Sequence, residues 1–453
     1  MSSVIAAIST GKEVSAIGIV RMTGADCAKI GGKVFTPDNG APLWEATNRK
    51  LILGTLYDDQ RRPIDRCMAV YTRGPHTYTG EDTVEFHCHG SPAVLAAGLE
   101  ALFAAGAMPA KRGEFTKRAF LNGRLDLTQA EAVIDLIEAE TADAAANAAG
   151  QVAGTLQKKL APIYDHLTDL CSHFHAVLDY PDEDIADFRL GDYYDRLSAD
   201  SKVLAQMAKS YGQGRILKQG AAVAILGKPN VGKSSLLNAL AGYERVIVTE
   251  IAGTTRDTVE ETVMLGNTRL RLIDTAGIHD TDDRIEAIGV ERSCQAAENA
   301  DLVLFVCDGS QPLTEEDRAV IELCMDATRS IALINKSDLG SKVVPSVLPF
   351  SVVIPICAKS GQGLDLLADT VDLMFAGDLP CDGSILTNPR QYYAIHTAYE
   401  ATMAALLGLR QGQTPDAVLT DIEAAMEAIG EVTGATVRED ITNRIFERFC
   451  VGK

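Results

Sequence analysis

One stretch of the chain has the residue types and spacing needed to hold phosphate: Gly227-Lys228-Pro229-Asn230-Val231-Gly232-Lys233-Ser234. It fits G-x-x-x-x-G-K-[ST] and lies between an apolar run, Ala221 to Leu226, and a helical pattern, the context in which glycines let backbone N–H groups close around phosphate oxygens. Lys233 would bring a point charge to the β- and γ-phosphates and the Ser234 hydroxyl would ligate Mg²⁺, with Asn230, Val231, Gly232 and Ser235 completing the cradle. Asp274-Thr275-Ala276-Gly277 ends the next hydrophobic run. There the aspartate would face the Mg²⁺ shell and the glycine amide could sense a γ-phosphate. Asn335-Lys336-Ser337-Asp338 closes the run Ile331 to Ile334. The Asp338 carboxylate can accept two N–H bonds from guanine, which adenine does not offer. Cys357-Ala358-Lys359 follows, able to meet the base through a backbone amide. All these groups fall at the C-terminal ends of strand-like runs, where open α/β sheets bind ligands.

The elements that must position these groups change in texture along the chain. Up to about Phe115, short β-rich segments (Ala16 to Met22, Lys50 to Tyr57, Arg66 to Tyr71, Thr83 to His87) alternate with turn clusters, which predicts a mixed α+β domain over 1–115. Ala-, Leu- and Glu-rich stretches then predict helices over 116–218, interrupted near Tyr180-Pro181-Asp182. Over 219–377, buried-strand runs (Ala221 to Leu226, Leu270 to Ile273, Leu302 to Val306, Ile331 to Ile334, Val352 to Ile356) alternate with helical patterns and predict a doubly wound parallel sheet. Helical texture returns over 378–453, from Arg390 to Cys450. The simplest architecture is an α/β domain inserted into a helical one.

A length of 453 residues exceeds what one hydrophobic core usually serves, and 46% hydrophobic with 23% charged residues is an ordinary globular composition. No apolar run spans a membrane and no signal peptide opens the chain, so a cytoplasmic protein is expected. The ten cysteines include no C-x-x-C pair, arguing against zinc knuckles and dithiol redox motifs. His87-Cys88-His89 reads as structural, because neighbours on a strand face opposite ways. Cys171, His173 and His175 read as non-ligating, because i,i+2 residues on a helix do not face each other. A net charge of −20 excludes a protein that coats nucleic acid through bulk charge. The run Lys111, Arg112, Lys117, Arg118 and Arg124 is either a solvated face or a local basic patch.

Asn335 to Asp338 resembles the N-K-x-D guanine motif of GTPases, and Cys357-Ala358-Lys359 resembles their Ser-Ala-Lys with cysteine in first place. Ras-like proteins carry a water-orienting glutamine after D-x-x-G; Ile278 stands there, so another group must serve. Gly253-Thr254-Thr255-Arg256-Asp257 together with Asn230 resembles the potassium-dependent branch of GTPases, with Thr255 as a second Mg²⁺ ligand. With Arg112 to Ala132 (RGEFTKRAFLNGRLDLTQAEA), Thr79-Gly80-Glu81-Asp82 and the terminal Phe449-Cys450-Val451-Gly452-Lys453, the chain resembles the MnmE (TrmE) family over almost its full length.

That resemblance implies an α+β N-terminal folate-binding domain that dimerises, a helical domain and an inserted Ras-like doubly wound G domain. It implies GTP hydrolysis coupled, with the FAD protein MnmG (GidA) in a heterotetramer, to adding a carboxymethylaminomethyl-type group to carbon 5 of the wobble uridine of certain tRNAs, using 5-formyl-tetrahydrofolate or a related one-carbon folate. By position, Asn230, Thr249, Ile251 (through its carbonyl) and Thr254 match the potassium site, and Glu250, Ala252 and Gly253 complete the GTP loop. Arg21, Glu85, Arg124 and Lys453 match folate contacts, Arg124 replacing a usual lysine. Glu286 matches the acid that positions the attacking water; the alternative is a solvated helix glutamate. Cys450 is either a core thiol on a helix with Ile445 and Phe446 or a thiolate used in modification. Two other functions share these motifs: a regulatory GTPase of the ribosome-assembly type without modification activity, and a folate carrier whose GTP turnover only regulates it.

Overall fold

The structure is a computed structural model and describes residues 3–11, 13–179, 190–243, 261–273, 295–377, 379–436 and 439–452. In chain order the strands are β1 (Ile5–Ile8), β2 (Ser15–Thr23), β3 (Phe35–Pro37), β4 (Leu51–Tyr57), β5 (Pro63–Thr72), β6 (Thr83–Gly90), β7 (Met108–Pro109), β8 (Ala221–Leu226), β9 (Glu261–Leu265), β10 (Thr268–Leu272), β11 (Leu302–Asp308), β12 (Ser330–Asn335) and β13 (Val353–Pro355). The helices are α1 (Cys27–Val34), α2 (Pro92–Ala105), α3 (Glu114–Leu121), α4 (Leu127–Ile137), α5 (Ala142–Val152), α6 (Thr155–Asp179), α7 (Leu190–Gln219), α8 (Lys233–Tyr243), α9 (Glu315–Met325), α10 (Leu364–Phe375), α11 (Pro389–Gln411), α12 (Pro415–Thr433) and α13 (Glu439–Phe446). Two compact units result, one of Met1–Ile137, Gln151–Leu204 and Tyr393–Lys453, the other of Glu138–Gly150 and Ala205–Tyr392. No described helix is long and apolar enough to cross a membrane.

The first unit holds a seven-stranded sheet of order β3-β4-β5-β6-β2-β1-β7, antiparallel except where β1 pairs with β7. Period-two alternation sorts its residues. Val20, Met22, Leu56, Ala69, Tyr71, Val84 and Phe86 are buried in one core with residues of α1 and α2. On the opposite face Ile17, Leu51, Leu53 and Met68 are exposed. All four strands read from the N-terminal sequence are present; β1, β3 and β7, too short to show a period, were not read. The same unit packs α12 against α6. α6 buries Leu156, Leu160, Ile163, Leu167, Leu170 and Phe174, and α12 buries Val418, Leu419, Ile422, Ala425 and Ile429, the three- and four-residue steps of packed helices. The expected interruption at Tyr180-Pro181-Asp182 lies outside the described residues.

The second unit holds a sheet of order β13-β12-β11-β8-β10-β9. Pairs among β13, β12, β11, β8 and β10 are parallel, as the alternation predicts. β9, which the sequence reading passed over, is an antiparallel edge strand joined to β10 through Gly266-Asn267. Gly266 has φ +62, a conformation suited to a two-residue hairpin. Asp372 of α10 pins this turn, accepting from the Asn267 amide (2.9 Å) and the Thr268 hydroxyl (2.6 Å). Ala221, Val223 and Ile225 of β8 join one core with α8 and α10, whereas Ala224 and Leu226 join another with α9. Helices therefore cover both faces.

Two expectations change. The basic run is neither a uniform patch nor a solvated face: Arg118 is buried, paired with Glu81 (2.9 Å) and Glu114 (3.0 Å), and bonded to the Ser3 carbonyl. The helical pattern read as running to Cys450 stops at Phe446. Beyond it the backbone leaves the helix to pair Val451 with Arg112, so Cys450 is an exposed thiol and not part of a core.

Candidate functional site

The phosphate-type loop links β8 to α8, leaving the sheet at its C-terminal edge. Two of its glycines are sterically required. A Cβ on Gly227 would lie 2.3 Å from the Val306 carbonyl oxygen, and one on Gly232, at φ +102, would lie 2.3 Å from Asn335 Nδ2. Gly232→Ala should therefore lose about 1–3 kcal/mol of stability in denaturant unfolding, together with measurable GTP affinity by calorimetry. Wild-type stability in that variant would mean the loop is free to rearrange.

Val231 is buried and anchors the loop to the core. The Lys233 ammonium donates to the Gly227 (2.6 Å) and Lys228 (2.9 Å) carbonyls, and burial pushes its pKa down. Among the described residues no carboxylate offsets that charge, a setting suited to an anion. Ser234 and Ser235, in the first turn of α8, are exposed. Lys228 is spent otherwise: its ammonium pairs with buried Asp317 at 2.7 Å, in the capping box that Thr314 builds at the start of α9. Burial opposes ionisation of Asp317, but Lys228 and Thr314 together hold its carboxyl below the ordinary value.

The guanine-type motif meets this loop directly. Asn335 ends β12 buried at 3% exposure; its Nδ2 donates to the Val231 carbonyl (2.8 Å) and its Oδ1 accepts from the Ala358 amide (3.0 Å). Lys336, at φ +62, donates to the Asn230 carbonyl (3.0 Å) and to Asp308 (2.6 Å). Burial opposes ionisation of Asp308 too, yet Lys336 and Ser310 keep its pKa low. Asp338 is exposed and accepts from the Cys357 thiol at 3.3 Å, so the cysteine in first place of the Cys357-Ala358-Lys359 segment orients the carboxylate as a serine hydroxyl can.

In the first unit Arg21 and Glu85 face each other across β2 and β6 and form an ion pair at 2.7 Å. They lie on the open face of the sheet, with the Arg21 guanidinium 5.9 Å from the ring centre of buried Phe115. His87 Nε2 is buried, makes no hydrogen bond and lies 3.5 Å from Glu85 Oε2. Arg124 is exposed and donates to the Thr77 carbonyl at 3.2 Å. Next to Thr77, Tyr78 bonds Thr116 at 2.9 Å; burial pushes its pKa up against the opposing effects of Thr116 and Arg21.

The chain end arrives at the same unit. The Gly113 amide donates to the Cys450 carbonyl, the Gly452 carbonyl accepts from the Ser9 hydroxyl (3.0 Å), and Gly113 precedes the helix that carries Phe115. Gly452 has φ +101, and a Cβ there would lie 2.2 Å from the Ile8 carbonyl.

A family model described as "GTP-binding protein TrmE N-terminus" matches residues 4–124, and one described as "MnmE helical domain" matches residues 127–450. Proteins named tRNA modification GTPase MnmE are similar along their length: that of Heliobacterium modesticaldum is 40% identical over 462 residues and that of Clostridioides difficile 40% over 458, each covering 99% of both chains. The chain belongs to the MnmE family. Among solved structures, Era in complex with MgGDPNP and a segment of 16S ribosomal RNA is 31% identical over 41% of this chain and 67% of its own, with a TM-score of 0.27. The expected MnmE architecture, an α+β N-terminal domain, a helical domain and an inserted doubly wound domain, is the one observed.

Of the residues proposed from sequence, the structure brings together Asn230, Val231, Gly232, Lys233, Asn335, Lys336 and Ala358, and separately Arg21 with Glu85. Thr249, Glu250, Ile251, Ala252, Gly253, Thr254, Thr255, Asp274, Thr275, Ala276, Gly277, Glu286 and Lys453 lie outside the described residues. Sequence reasoning set His87 aside as structural, although its two-residue spacing from Glu85 on one strand already placed both on one face. Asp308 was also missed; its position at the end of a buried strand was the available signal.

Proposed function

We propose that the chain is a GTP hydrolase acting in tRNA modification, with 219–377 as its GTPase module, 1–115 as a folate-binding and dimerising module and 116–218 with 378–453 as the two halves of a helical module. Support for GTP comes chiefly from Asn335, one buried side chain tying the phosphate-type loop to the base-type loop. Lys233 would hold the β/γ-phosphates, Ser234 and Thr255 Mg²⁺, and Asp338 the guanine edge. Potassium would be held by Asn230, Thr249, Ile251 and Thr254 and would supply fixed positive charge near the phosphates. Glu286 would position the attacking water.

On the open face of the first unit, Glu85, with the unbonded His87 Nε2 beside it, fits a pterin's donor edge, while Arg21 and Arg124 fit a carboxylate tail. A formyl-tetrahydrofolate bound there would supply the one-carbon unit. The tail's contacts at Gly113 and Ser9 support a pocket shared by the two chain ends, to which Lys453 and Cys450 would contribute. Exposed Ile17, Leu51, Leu53 and Met68 suit a second copy of this chain. The FAD-bearing MnmG would complete a cytoplasmic heterotetramer that places a carboxymethylaminomethyl-type group on carbon 5 of the wobble uridine. A ribosome-assembly-type switch would leave the Arg21–Glu85–His87 arrangement without a use.

Nucleoside mass spectrometry of tRNA from a deletion strain decides between these readings, with loss of modified wobble uridine expected. Complementation with Gly452→Val should leave modification down by about a hundredfold, because a displacement near 1 Å at a reacting site costs that much, while GTP hydrolysis stays intact. Normal modification in the deletion strain would refute the function; normal modification with Gly452→Val would refute the tail's part in it.

A further inference from the structure

We propose that Cys171, His175 and Glu423 form a binding site for a divalent transition-metal ion of the zinc class, clasping α6 to α12. The thiol, imidazole and carboxylate donors all lie within 4.8 Å of one another. Cys171 and His175 are four residues apart on α6 and so stand on one face, one turn above the other. Each follows a residue of the buried seam, Leu170 and Phe174, and Glu423 likewise follows Ile422 on α12. The three therefore line the rim where the helices pack, and the seam fixes their spacing.

His175 Nε2 and Glu423 Oε1 already stand 3.2 Å apart. Donors around a tetrahedral ion with bonds of about 2.0–2.3 Å sit about 3.5 Å apart, so small rotamer adjustments close the set. One sulfur, one nitrogen and one oxygen suit zinc and its neighbours and not Mg²⁺ or Ca²⁺, which take oxygen ligands. His175 and Glu423 are each 52% exposed at the side chain, which leaves an entry path and a fourth position for water. Binding releases the thiol proton to solvent and adds a link across this rim, where the exposed His175–Glu423 contact is worth little alone.

The other grouping of donors among the described residues, Asp65, Cys67 and Cys88, offers less. Its carboxylate is engaged by the His89 ring and amide, both at 2.8 Å, and its thiols are packed in the core.

Untagged full-length protein without nucleotide should be titrated with Co²⁺ and followed by absorbance. The expected result is a thiolate-to-cobalt charge-transfer band with four-coordinate visible bands, saturating at one equivalent and displaced by Zn²⁺. Cys171→Ser should abolish the charge-transfer band, and Glu423→Gln, an exposed change that leaves the packing seam intact, should weaken Co²⁺ binding by about tenfold or more. Zn²⁺ should raise the Tm of the wild type and not that of Glu423→Gln. A charge-transfer band of wild-type strength in Cys171→Ser, unchanged affinity in Glu423→Gln, or no band in the wild type would each overturn the site.

Discussion

GTP turnover by the full-length protein should fall by about a thousandfold when potassium is replaced by sodium at equal ionic strength, the lower end of what an arginine finger contributes. Potassium, held by oxygens of Asn230, Thr249, Ile251 and Thr254, is proposed to supply the charge of such a finger, while Glu286 is proposed to orient the water that Ile278 cannot. Asn230 is the one member of the proposed cation set within the described residues. It is held in a left-handed conformation, φ +63, with its carbonyl fixed by the Lys336 ammonium at 3.0 Å. A cage built on so constrained a backbone does not contract around a smaller ion, which is why sodium should not substitute. Asn230→Ala should bring the rate in potassium down to that in sodium while leaving GTP affinity, which Lys233 and Asp338 are proposed to set, near wild type. Equal rates in the two salts would remove potassium from the account.

Asp338→Asn should lower GTP affinity by about 10⁴-fold and confer binding of xanthosine triphosphate. Guanine offers two N–H donors to the carboxylate; xanthine replaces one with a carbonyl, which the new amide can meet. A site built to hydrogen-bond one base rejects the other by about 10⁴–10⁵, because a polar group is otherwise left unpaired. Asp338 is exposed and its partner Cys357 is buried, so the exchange alters the rim of the site without opening the core. Competition binding with the two triphosphates checks it, and retained preference for GTP would show that the base is read by other groups.

Much of this was legible because the chemistry is written in contiguous residues. Gly227 to Ser234 and Asn335 to Asp338 each announce their task locally, and buried strands such as Ala221 to Leu226 announce the sheet. What sequence could not give is how distant pieces meet: Asn335 reaches Val231 across 104 residues and Ala358 across 23. Gly266-Asn267 is a hairpin signal that announces β9. The misreading at Cys450 has a physical source. Phe446 and Phe449 are both buried in one cluster at helical spacing, yet the helix stops at Phe446 and the backbone beyond Phe449 pairs Val451 with Arg112.

The double grip of Asn335 also bears on time. Because one amide group fastens both loops, loosening either end relaxes the other, and the phosphate and base halves of a nucleotide should let go as one event. Residence time should then follow a single exponential, and damage to either loop should shorten it to the same degree instead of splitting release into a fast and a slow phase.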